Sequence, residues 1–268
     1  CFADEIAPAL RDQFRVMREL GLAGMEVRTV DDVNVMDLPE RTLREIRKQA
    51  DDRGITITCV SSPIGKQPVS ISPSIVVEQV EKASEIAHML GTEYIRIFSF
   101  FNEQDMTIDE AIGLSSEKLS LMADRAKRTD TVLVMEGGHN TVGQTGKVSR
   151  QLFEAVDSAH LRCAFDGAAF VGAGEQPFTD CLPLLMPYIE YMHIKDAKFN
   201  SPRRVLPGDG DVELERILNA VRNKDLVLSL EPHLAYAGPN RGFSGEELFK
   251  QAHKALMDIL NRLNIPFF

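Results

Sequence analysis

Four short apolar runs in the second half of the chain each end at an ionisable residue. The runs cover residues 131–135, 161–165, 188–192 and 226–230, and the residues that close them are Glu136, Asp166, His193 and Glu231. The intervals are 166 − 136 = 30, 193 − 166 = 27 and 231 − 193 = 38 residues. Because a strand, a helix and two loops take about 30 residues, these groups are predicted to lie at equivalent ends of successive parallel strands. They should therefore converge at one end of a sheet.

The rest of the chain repeats this alternation of β-like and helical runs. Further strands are predicted at residues 2–6, 24–30, 55–60 and 94–98. Helices are predicted at residues 9–20, 38–53, 72–90, 107–129, 146–158, 178–186, 212–222 and 244–263. Eight strands alternating with eight helices indicate an α/β fold, a (β/α)8 TIM barrel, as a single domain over residues 1–268. An open doubly wound sheet is the alternative, but the GxGxxG turn that it needs after its first strand is missing.

Charge and cysteine content argue against several classes of protein. The formal charge is −10, from 40 acidic and 30 basic residues, which gives no electrostatic basis for binding nucleic acid. The four cysteines stand far apart without a CxxC pair, so we expect reduced thiols and a cytoplasmic location. We expect neither a signal peptide nor a membrane partner, and a homodimer is compatible with a helix-lined barrel. Since the chain does not begin with Met, we also expect residues ahead of Cys1 and an incomplete first strand.

Three carboxylates and one imidazole at one end of a barrel form a set of ligands suited to a divalent cation such as Mn²⁺, Mg²⁺, Co²⁺ or Zn²⁺. Any one of Glu136, Asp166 and Glu231 could instead cap the following helix or form an ion pair. His193 alone could be a buried histidine with ordinary hydrogen bonds. The shared position of all four in the repeating unit favours a metal site.

Two histidines and a lysine close to these residues are candidate substrate-binding groups. His139 and His233 each lie a few residues beyond a predicted ligand, although loop histidines are often merely exposed. Lys195 lies two residues after His193, so in a strand its side chain points to the same side. It could contact a substrate oxygen or extend into solvent.

Arg96 lies in the middle of a predicted strand, within the sequence Tyr-Ile-Arg-Ile-Phe. A charge flanked by apolar residues requires a buried partner, and Glu26 and Glu136 are the candidates. An ion pair inside the barrel is favoured over direct chemistry, while Arg96 also remains a candidate substrate-binding residue. Nucleophilic catalysis lacks support, because there is no GxSxG motif and Cys59 and Cys163 lie inside apolar runs.

The glycine-rich run Pro-Gly-Asp-Gly-Asp-Val at residues 207–212 has two interpretations. It could be a phosphate or Ca²⁺ loop, but it lacks both the lysine of a P-loop and the spacing of an EF-hand. We therefore predict a turn before a helix that is capped by Asp211.

Several of these segments resemble the xylose isomerase-like TIM barrels, a family of sugar and sugar-phosphate isomerases and epimerases, inosose dehydratases and endonuclease IV-type enzymes. The resemblance is carried by residues 133–136, 164–166, 192–196, 207–212 and 230–233. It implies that one divalent metal ion is bound by Glu136, Asp166, His193 and Glu231, and that Glu136 and Glu231 are the catalytic pair that moves a proton. The implied protein is a metal-dependent isomerase or epimerase of carbohydrate metabolism acting on a sugar, sugar phosphate or cyclic polyol, with manganese among the expected metals.

The sequence departs from the family's epimerases at two positions. Ala169 stands where many members have a histidine, and Phe199 stands where the epimerases have an arginine, with Arg203 and Arg204 nearby but out of register. Three alternatives therefore stay open: an inosose dehydratase-like lyase, an endonuclease IV-like DNA repair enzyme and a non-catalytic sugar-binding barrel. The endonuclease would need further histidine and acidic ligands and a basic DNA-binding face.

Overall fold

A computed structural model describes residues 1–235 and 243–267. Parallel strands dominate it, and two short antiparallel pairs lie beside them. The strands are β1 (Gly24–Val27), β2 (Thr29–Val30), β3 (Val33–Asn34), β4 (Thr56–Ser61), β5 (Tyr94–Ile97), β6 (Val132–Glu136), β7 (Leu161–Asp166), β8 (Ile189–Ile194), β9 (Asp196–Ala197), β10 (Arg204–Val205) and β11 (Val227–Leu230). Seven of them form a sheet in the order β1-β4-β5-β6-β7-β8-β11, while β2 pairs with β3 and β9 pairs with β10.

The gap between the two edges of this sheet is closed by the first residues of the chain. Phe2 forms a parallel bridge with Glu26, and its N–H donates to Leu230 O at 3.1 Å. The N–H of Glu26 donates to Cys1 O at 2.7 Å. The predicted strand over residues 2–6 is wrong in its length, because Ala3–Glu5 form a 3-10 turn. The result is a nearly closed parallel barrel, and the predicted TIM-barrel fold is confirmed.

Helices alternate with the barrel strands, as predicted. They are α1 (Leu10–Glu19), α2 (Glu40–Asp51), α3 (Pro73–Leu90), α4 (Ile108–Arg128), α5 (Gly146–Val156), α6 (Gly167–Gly172), α7 (Leu182–Leu185), α8 (Leu214–Val221) and α9 (Glu246–Arg262). The helix predicted over residues 178–186 is instead a π turn, Pro177–Cys181, followed by α7. Within the described parts of the chain, no helix combines the length and apolar character needed to cross a membrane.

Local chemistry explains where the long helices begin and end. Thr107 and Glu110 form a capping box that starts α4, because each side chain accepts a hydrogen bond from the other's backbone N–H. Pro73 occupies the first turn of α3, where a missing N–H costs nothing. The same helix stops at Gly91, whose φ of 72° is accessible to glycine.

The interior of the barrel has two layers, which follow from the alternation of side chains along each strand. The lower layer is an apolar cluster of Cys59, Val134, Ala164 and Tyr191. The residues two positions further along three of these strands are Glu136, Asp166 and His193, and all three are buried. The apolar layer therefore lies directly below a layer of polar residues at the carboxyl ends of the strands.

The glycine-rich loop at residues 207–212 folds around the carboxylate of Asp196. This carboxylate accepts hydrogen bonds from the N–H groups of Gly208 at 2.8 Å, Gly210 at 3.1 Å and Val212 at 3.3 Å. A Cβ at Gly210 would lie 2.1 Å from Asp196 Oδ1, so only glycine fits. The predicted cap by Asp211 is wrong, because its Oδ2 accepts from the N–H of Phe199 at 2.8 Å instead.

Candidate metal centre

The structure brings the four predicted ligands together at the carboxyl end of the barrel. Glu136, Asp166 and His193 come from β6, β7 and β8, and Glu231 follows β11 directly. Each residue offers one ligand atom, and these atoms all lie within 4.8 Å of one another. All four residues are buried.

The imidazole of His193 stands between two sets of carboxylates. Its Nδ1 lies 3.4 Å from Glu136 Oε1 and 3.8 Å from Glu231 Oε2, while its Nε2 lies 3.5 Å from Glu26 Oε1. Neither ring nitrogen has a hydrogen-bond partner among the described residues. The nitrogen that faces the other predicted ligands is therefore Nδ1, and Nε2 faces a separate carboxylate below it.

Glu26 is fully buried on β1 and is surrounded by hydroxyl groups. Its carboxylate accepts hydrogen bonds from Ser61, from Ser229 Oγ at 2.6 Å and from Tyr191 Oη at 3.0 Å. Burial alone raises the pKa of Glu26, but the positive charge of His193, helped by other neighbours, outweighs it and lowers the pKa to about 2. Glu26 is thus an ionised group that can orient His193, as carboxylates behind metal-binding histidines do.

Arg96 is buried and pairs with Glu136, not with Glu26. Its Nη1 donates to Glu136 Oε2 at 3.1 Å, and its Nη2 donates to Ser62 O at 3.2 Å. Of the two candidate partners of Arg96, the structure places Glu136 in contact. Burial works to raise the pKa of Glu136, but His193 and Arg96 keep it well below its usual range.

Glu231 is held from the opposite side by Arg28 and His233. Arg28 Nη1 donates to Glu231 Oε1 at 2.8 Å, and His233 Nε2 lies 2.9 Å from the same oxygen. Arg28 also binds Asp4 at 2.7 Å and Glu5 at 3.1 Å. Burial opposes ionisation of Glu231, yet the charges of Lys195, His233 and Arg28 keep its pKa well below the usual range.

Arg28 was not among the predicted site residues, although the sequence carries a signal for it. Glu26 and Arg28 are charged residues two positions apart in a predicted apolar strand. Their spacing places both side chains on one face, where burial requires partners.

Lys195 lies within the cluster, on the same side as His193. Its Nζ is 2.7 Å from Glu231 Oε2, 2.9 Å from Asp166 Oδ2 and 3.9 Å from Glu136 Oε1. Burial favours the neutral amine, but these carboxylates raise the pKa of Lys195 above its usual value. A cation bound by the same oxygens would share them with this ammonium group.

The two carboxylate oxygens of Asp166 have different contacts: one caps a helix and the other faces the cluster. Oδ1 accepts from the N–H groups of Ala168 at 2.9 Å and Ala169 at 3.3 Å and so starts α6. Oδ2 contacts Lys195 at 2.9 Å. The helix-capping interpretation and the ligand interpretation therefore apply to different atoms of one side chain.

The two remaining candidates differ in their surroundings. His233 has a φ of 50°, a left-handed conformation that is uncommon for residues other than glycine but that histidine, asparagine and aspartate adopt more often than most. Besides Glu231, its Nε2 lies 3.2 Å from Glu5 Oε1. His139 is exposed in the turn after β6. A role for either histidine in binding substrate stays a prediction.

The chemistry of the cluster fits a divalent metal ion. Three carboxylates and one imidazole supply hard oxygen ligands and a borderline nitrogen, the set found with Mg²⁺, Mn²⁺, Co²⁺ and Zn²⁺. His193 Nδ1 is a buried nitrogen that faces this cluster without a hydrogen-bond partner in the described chain. Buried polar atoms normally have a hydrogen-bond partner, so a metal ion bound to Nδ1 would supply the interaction that this atom lacks. The cluster could therefore hold a metal.

Comparison with known proteins identifies what this arrangement is similar to. The family model described as xylose isomerase-like TIM barrel matches residues 14–259. No curated protein matches the sequence significantly. The assignment of all of residues 1–268 to one domain stays a prediction, since it includes residues outside the match and outside the described ranges.

Three solved structures illustrate the similarity in fold. The probable 3-DHS dehydratase AsbF from Bacillus anthracis has a TM-score of 0.75 and 20% identity, with 95% of this chain and 96% of that chain covered. The IOLI protein with a bound zinc atom has a TM-score of 0.76 and 19% identity, with 95% and 94% covered. A D-tagatose 3-epimerase-like protein has a TM-score of 0.80 and 14% identity, with 97% and 96% covered. At these identities the similarity shows the fold alone.

Proposed function

Because this chain belongs to the xylose isomerase-like TIM-barrel family, we propose that it is a divalent-metal-dependent isomerase or epimerase of a sugar or sugar phosphate. The observation that carries the proposal is the pair of buried glutamates, Glu136 and Glu231, whose oxygens lie 3.4 Å and 3.8 Å from one nitrogen of His193. Two ionised carboxylates around a single cation site provide two positions from which a proton can be moved.

The metal would be held by Glu136, Asp166, His193 and Glu231, and Mn²⁺, Co²⁺, Mg²⁺ and Zn²⁺ all suit these ligands. When bound, such an ion polarises a substrate carbonyl and acidifies the neighbouring C–H group. We favour manganese as the first metal to test and a cytoplasmic location, which the scattered cysteines support.

The two glutamates would act as the acid and base. One carboxylate removes the proton next to the carbonyl, and the other takes up a proton from solvent or from a substrate hydroxyl and delivers it to carbon. Return to the opposite face of the same carbon gives epimerisation, and transfer to the adjacent carbon gives isomerisation. Arg96 and Arg28 hold the two carboxylates through contacts of 3.1 Å and 2.8 Å, so both are fixed before substrate arrives.

A dehydratase that uses the same site is the second candidate. Lys195 Nζ lies 2.7 Å from Glu231 Oε2 and 2.9 Å from Asp166 Oδ2, so an ammonium donor stands inside the cluster. It could protonate a departing β-hydroxyl after the same carbanion is formed. The similarity to a probable dehydratase at a TM-score of 0.75 is consistent with this candidate.

The test is exchange of the substrate α-proton with solvent, measured by NMR in D₂O with Mn²⁺-treated protein and D-fructose, D-tagatose, D-fructose 6-phosphate, D-fructuronate and an inosose. The variants are Glu136→Gln and Glu231→Gln, and Glu117→Gln on the exposed face of α4 is the matched control. Each site variant should lower the exchange rate by about 10²- to 10⁴-fold, while the control keeps the wild-type rate.

Two outcomes would contradict the proposal. Wild-type exchange in either site variant would remove that glutamate from its acid or base role. Absence of exchange in the wild-type protein with every ketose and inosose tested would favour a sugar-binding barrel without turnover.

A further inference from the structure

A lysine that the mechanism does not use stands beside the predicted metal cluster. Lys66 Nζ lies 4.2 Å from the centre of the Phe98 ring, and Arg96 lies 4.8 Å from the same ring centre. Phe98 is buried one residue after β5, and Arg96 pairs with Glu136. The ammonium group of Lys66 is therefore close to the side of the site that carries Glu136.

The loop after β4 fixes the backbone of Lys66 against the strand next to it. The N–H of Lys66 donates to Pro63 O at 2.9 Å, and the N–H of Phe98 donates to Ile64 O at 2.8 Å. Gly65 has a φ of 84°, and a Cβ there would lie 2.0 Å from Phe98 O. Only glycine allows this close approach, so the local sequence places Lys66 beside Phe98 and not elsewhere.

Lys66 differs from the other cations of the site because it lacks an ion-pair partner. No carboxylate oxygen lies within 4.0 Å of its Nζ in residues 1–235 and 243–267, whereas Arg28, Arg96 and Lys195 each contact at least one. A cation–π contact with Phe98 contributes only modestly at an accessible position. The positive charge of Lys66 is thus available to a ligand.

The neighbours of Lys66 make its charge unfavourable in the absence of a ligand. Desolvation, and then repulsion by Arg96 and Lys195, lower the pKa of Lys66 to about 8, although Glu136 and Glu231 act in the opposite sense. Lys66 as a whole residue is exposed, so its ammonium group is accessible to a ligand. An anion placed next to this ammonium would relieve the repulsion.

A second unsatisfied donor belongs to the neighbouring arginine. Arg96 is 4% exposed, and its Nε has no hydrogen-bond partner among the described residues, although its Nη1 and Nη2 are both bonded. Buried donors normally have acceptors. Two cations therefore lie against one aromatic ring, and the described residues give neither an ion-pair partner for Lys66 nor an acceptor for Arg96 Nε.

We propose that Lys66, together with Arg96, binds an anionic group of the substrate, so that the substrate is a sugar acid or a sugar phosphate and not a neutral sugar. This inference rests on the proposed function, because it assigns the substrate class of the same site. Carboxylate and phosphate share the chemistry that two cationic donors recognise.

The experiment compares three ketohexoses that differ only at C6. D-fructose carries a hydroxyl there, D-fructuronate a carboxylate and D-fructose 6-phosphate a phosphate. Dissociation constants are measured by titration calorimetry on the full chain, with and without Mn²⁺, for wild type, Lys66→Met and Lys66→Arg. Lys127→Met is the matched control, because Lys127 is an exposed lysine on α4, on the outside of the barrel.

In the wild type and in the control, at least one anionic ketose should bind about tenfold or more tightly than D-fructose, which is the range of a charge-assisted hydrogen bond. Lys66→Met should remove this preference, and Lys66→Arg should keep most of it. A preference for D-fructuronate alone assigns a carboxylate, and a preference for D-fructose 6-phosphate alone assigns a phosphate.

Equal binding of the three ketoses by the wild type, binding of none of them, or an unchanged preference in Lys66→Met would overturn the assignment of Lys66. The outcome is separate from that of the proposed function. Selective binding of an anionic ketose without α-proton exchange would reject the isomerase and keep the anion site. Exchange without a preference for an anionic ketose would keep the isomerase and reject the anion site.

Discussion

Two buried carboxylates on opposite sides of His193 have contrasting surroundings. Glu26, below the imidazole, accepts hydrogen bonds from Ser61, Tyr191 and Ser229. Glu231, above it, has an Oε2 without a well-formed hydrogen bond among the described residues, 2.7 Å from the ammonium of Lys195 and 3.8 Å from His193 Nδ1. Both groups are ionised, and both are fully buried.

The difference separates a structural carboxylate from one available for chemistry. The hydroxyl groups around Glu26 use its lone pairs, so it can orient His193 but has little capacity left for a metal ion. The oxygens of Glu136, Asp166 and Glu231 instead face one another across a short distance and are balanced by cations. Such an arrangement is costly without a cation, and its position at the carboxyl end of the barrel is where TIM barrels carry their active sites.

The largest effect is expected from removing two of the predicted ligands. The double variant Asp166→Asn/His193→Ala should lower the metal content from about one ion per chain to less than about a tenth of an ion. The reason is that two of the four side chains predicted to bind the ion are lost. Elemental analysis of protein purified without chelator measures this. The matched control is Asp124→Asn/His88→Ala, which changes the same residue types on exposed positions of α4 and α3. Full metal content in the site variant would place the ion elsewhere.

A smaller effect is expected from the carboxylate below the histidine. Glu26→Gln keeps the size of the side chain and can still contact the surrounding hydroxyls, but it removes the charge that faces His193 Nε2 at 3.5 Å. Metal affinity should fall by about 10- to 100-fold, as for other groups behind a metal-binding histidine. Competition with a chelating dye measures the affinity, with Glu117→Gln as control. An unchanged metal affinity would show that Glu26 contributes to the stability of the fold but not to metal binding.

The smallest effect is a dependence of the stability of the metal-free protein on pH. Burial opposes protonation of His193, but Glu136 and Glu26 outweigh it and raise the pKa to about 10 from 6.5. The native state then holds a proton that the unfolded state has lost. The resulting stabilisation is complete below pH 6.5 and is lost as the pH rises towards 10, with a slope approaching about 1.4 kcal/mol per pH unit.

Urea unfolding in the presence of a chelator, at several pH values across this window, measures the free energy of unfolding. His193→Asn should shift the slope between pH 7 and 9 in the positive direction, by up to about 1.4 kcal/mol per pH unit, because the contribution of His193 is lost, whereas His88→Ala on the exposed face of α3 should keep the wild-type slope. The same slope in the wild type and in His193→Asn would mean that His193 is neutral between its two carboxylates.

Much of the fold was readable from the sequence because its determinants are local. Alternating apolar residues, the helix signals at Thr107 and Gly91 and the roughly 30-residue unit each involve neighbours in the chain. They located the strands to within a few residues. The first strand was the exception, since Ala3–Glu5 form a 3-10 turn in contact with residues more than 200 positions away, such as Ser244.

The candidate ligands were also readable, because all four occupy the same position in the repeating unit and parallel strands bring such positions together. Which atom of each ligand faces the cluster was not readable. Nδ1 of His193 faces the ligands only because Glu26 and its three hydroxyl partners lie on the other side, and those partners come from β4, β8 and β11.

The sequence by itself therefore determined the TIM barrel, its family and the residues that could hold a metal ion. The tertiary structure alone decided that Arg96 pairs with Glu136 and that Arg28 binds Glu231. It also decided that Lys66 shares the Phe98 ring with Arg96 and forms no ion pair with a carboxylate of the described residues. The physical reason is distance along the chain. Arg28 and Glu231 are 203 residues apart, and only closure of the barrel brings their charges within 2.8 Å.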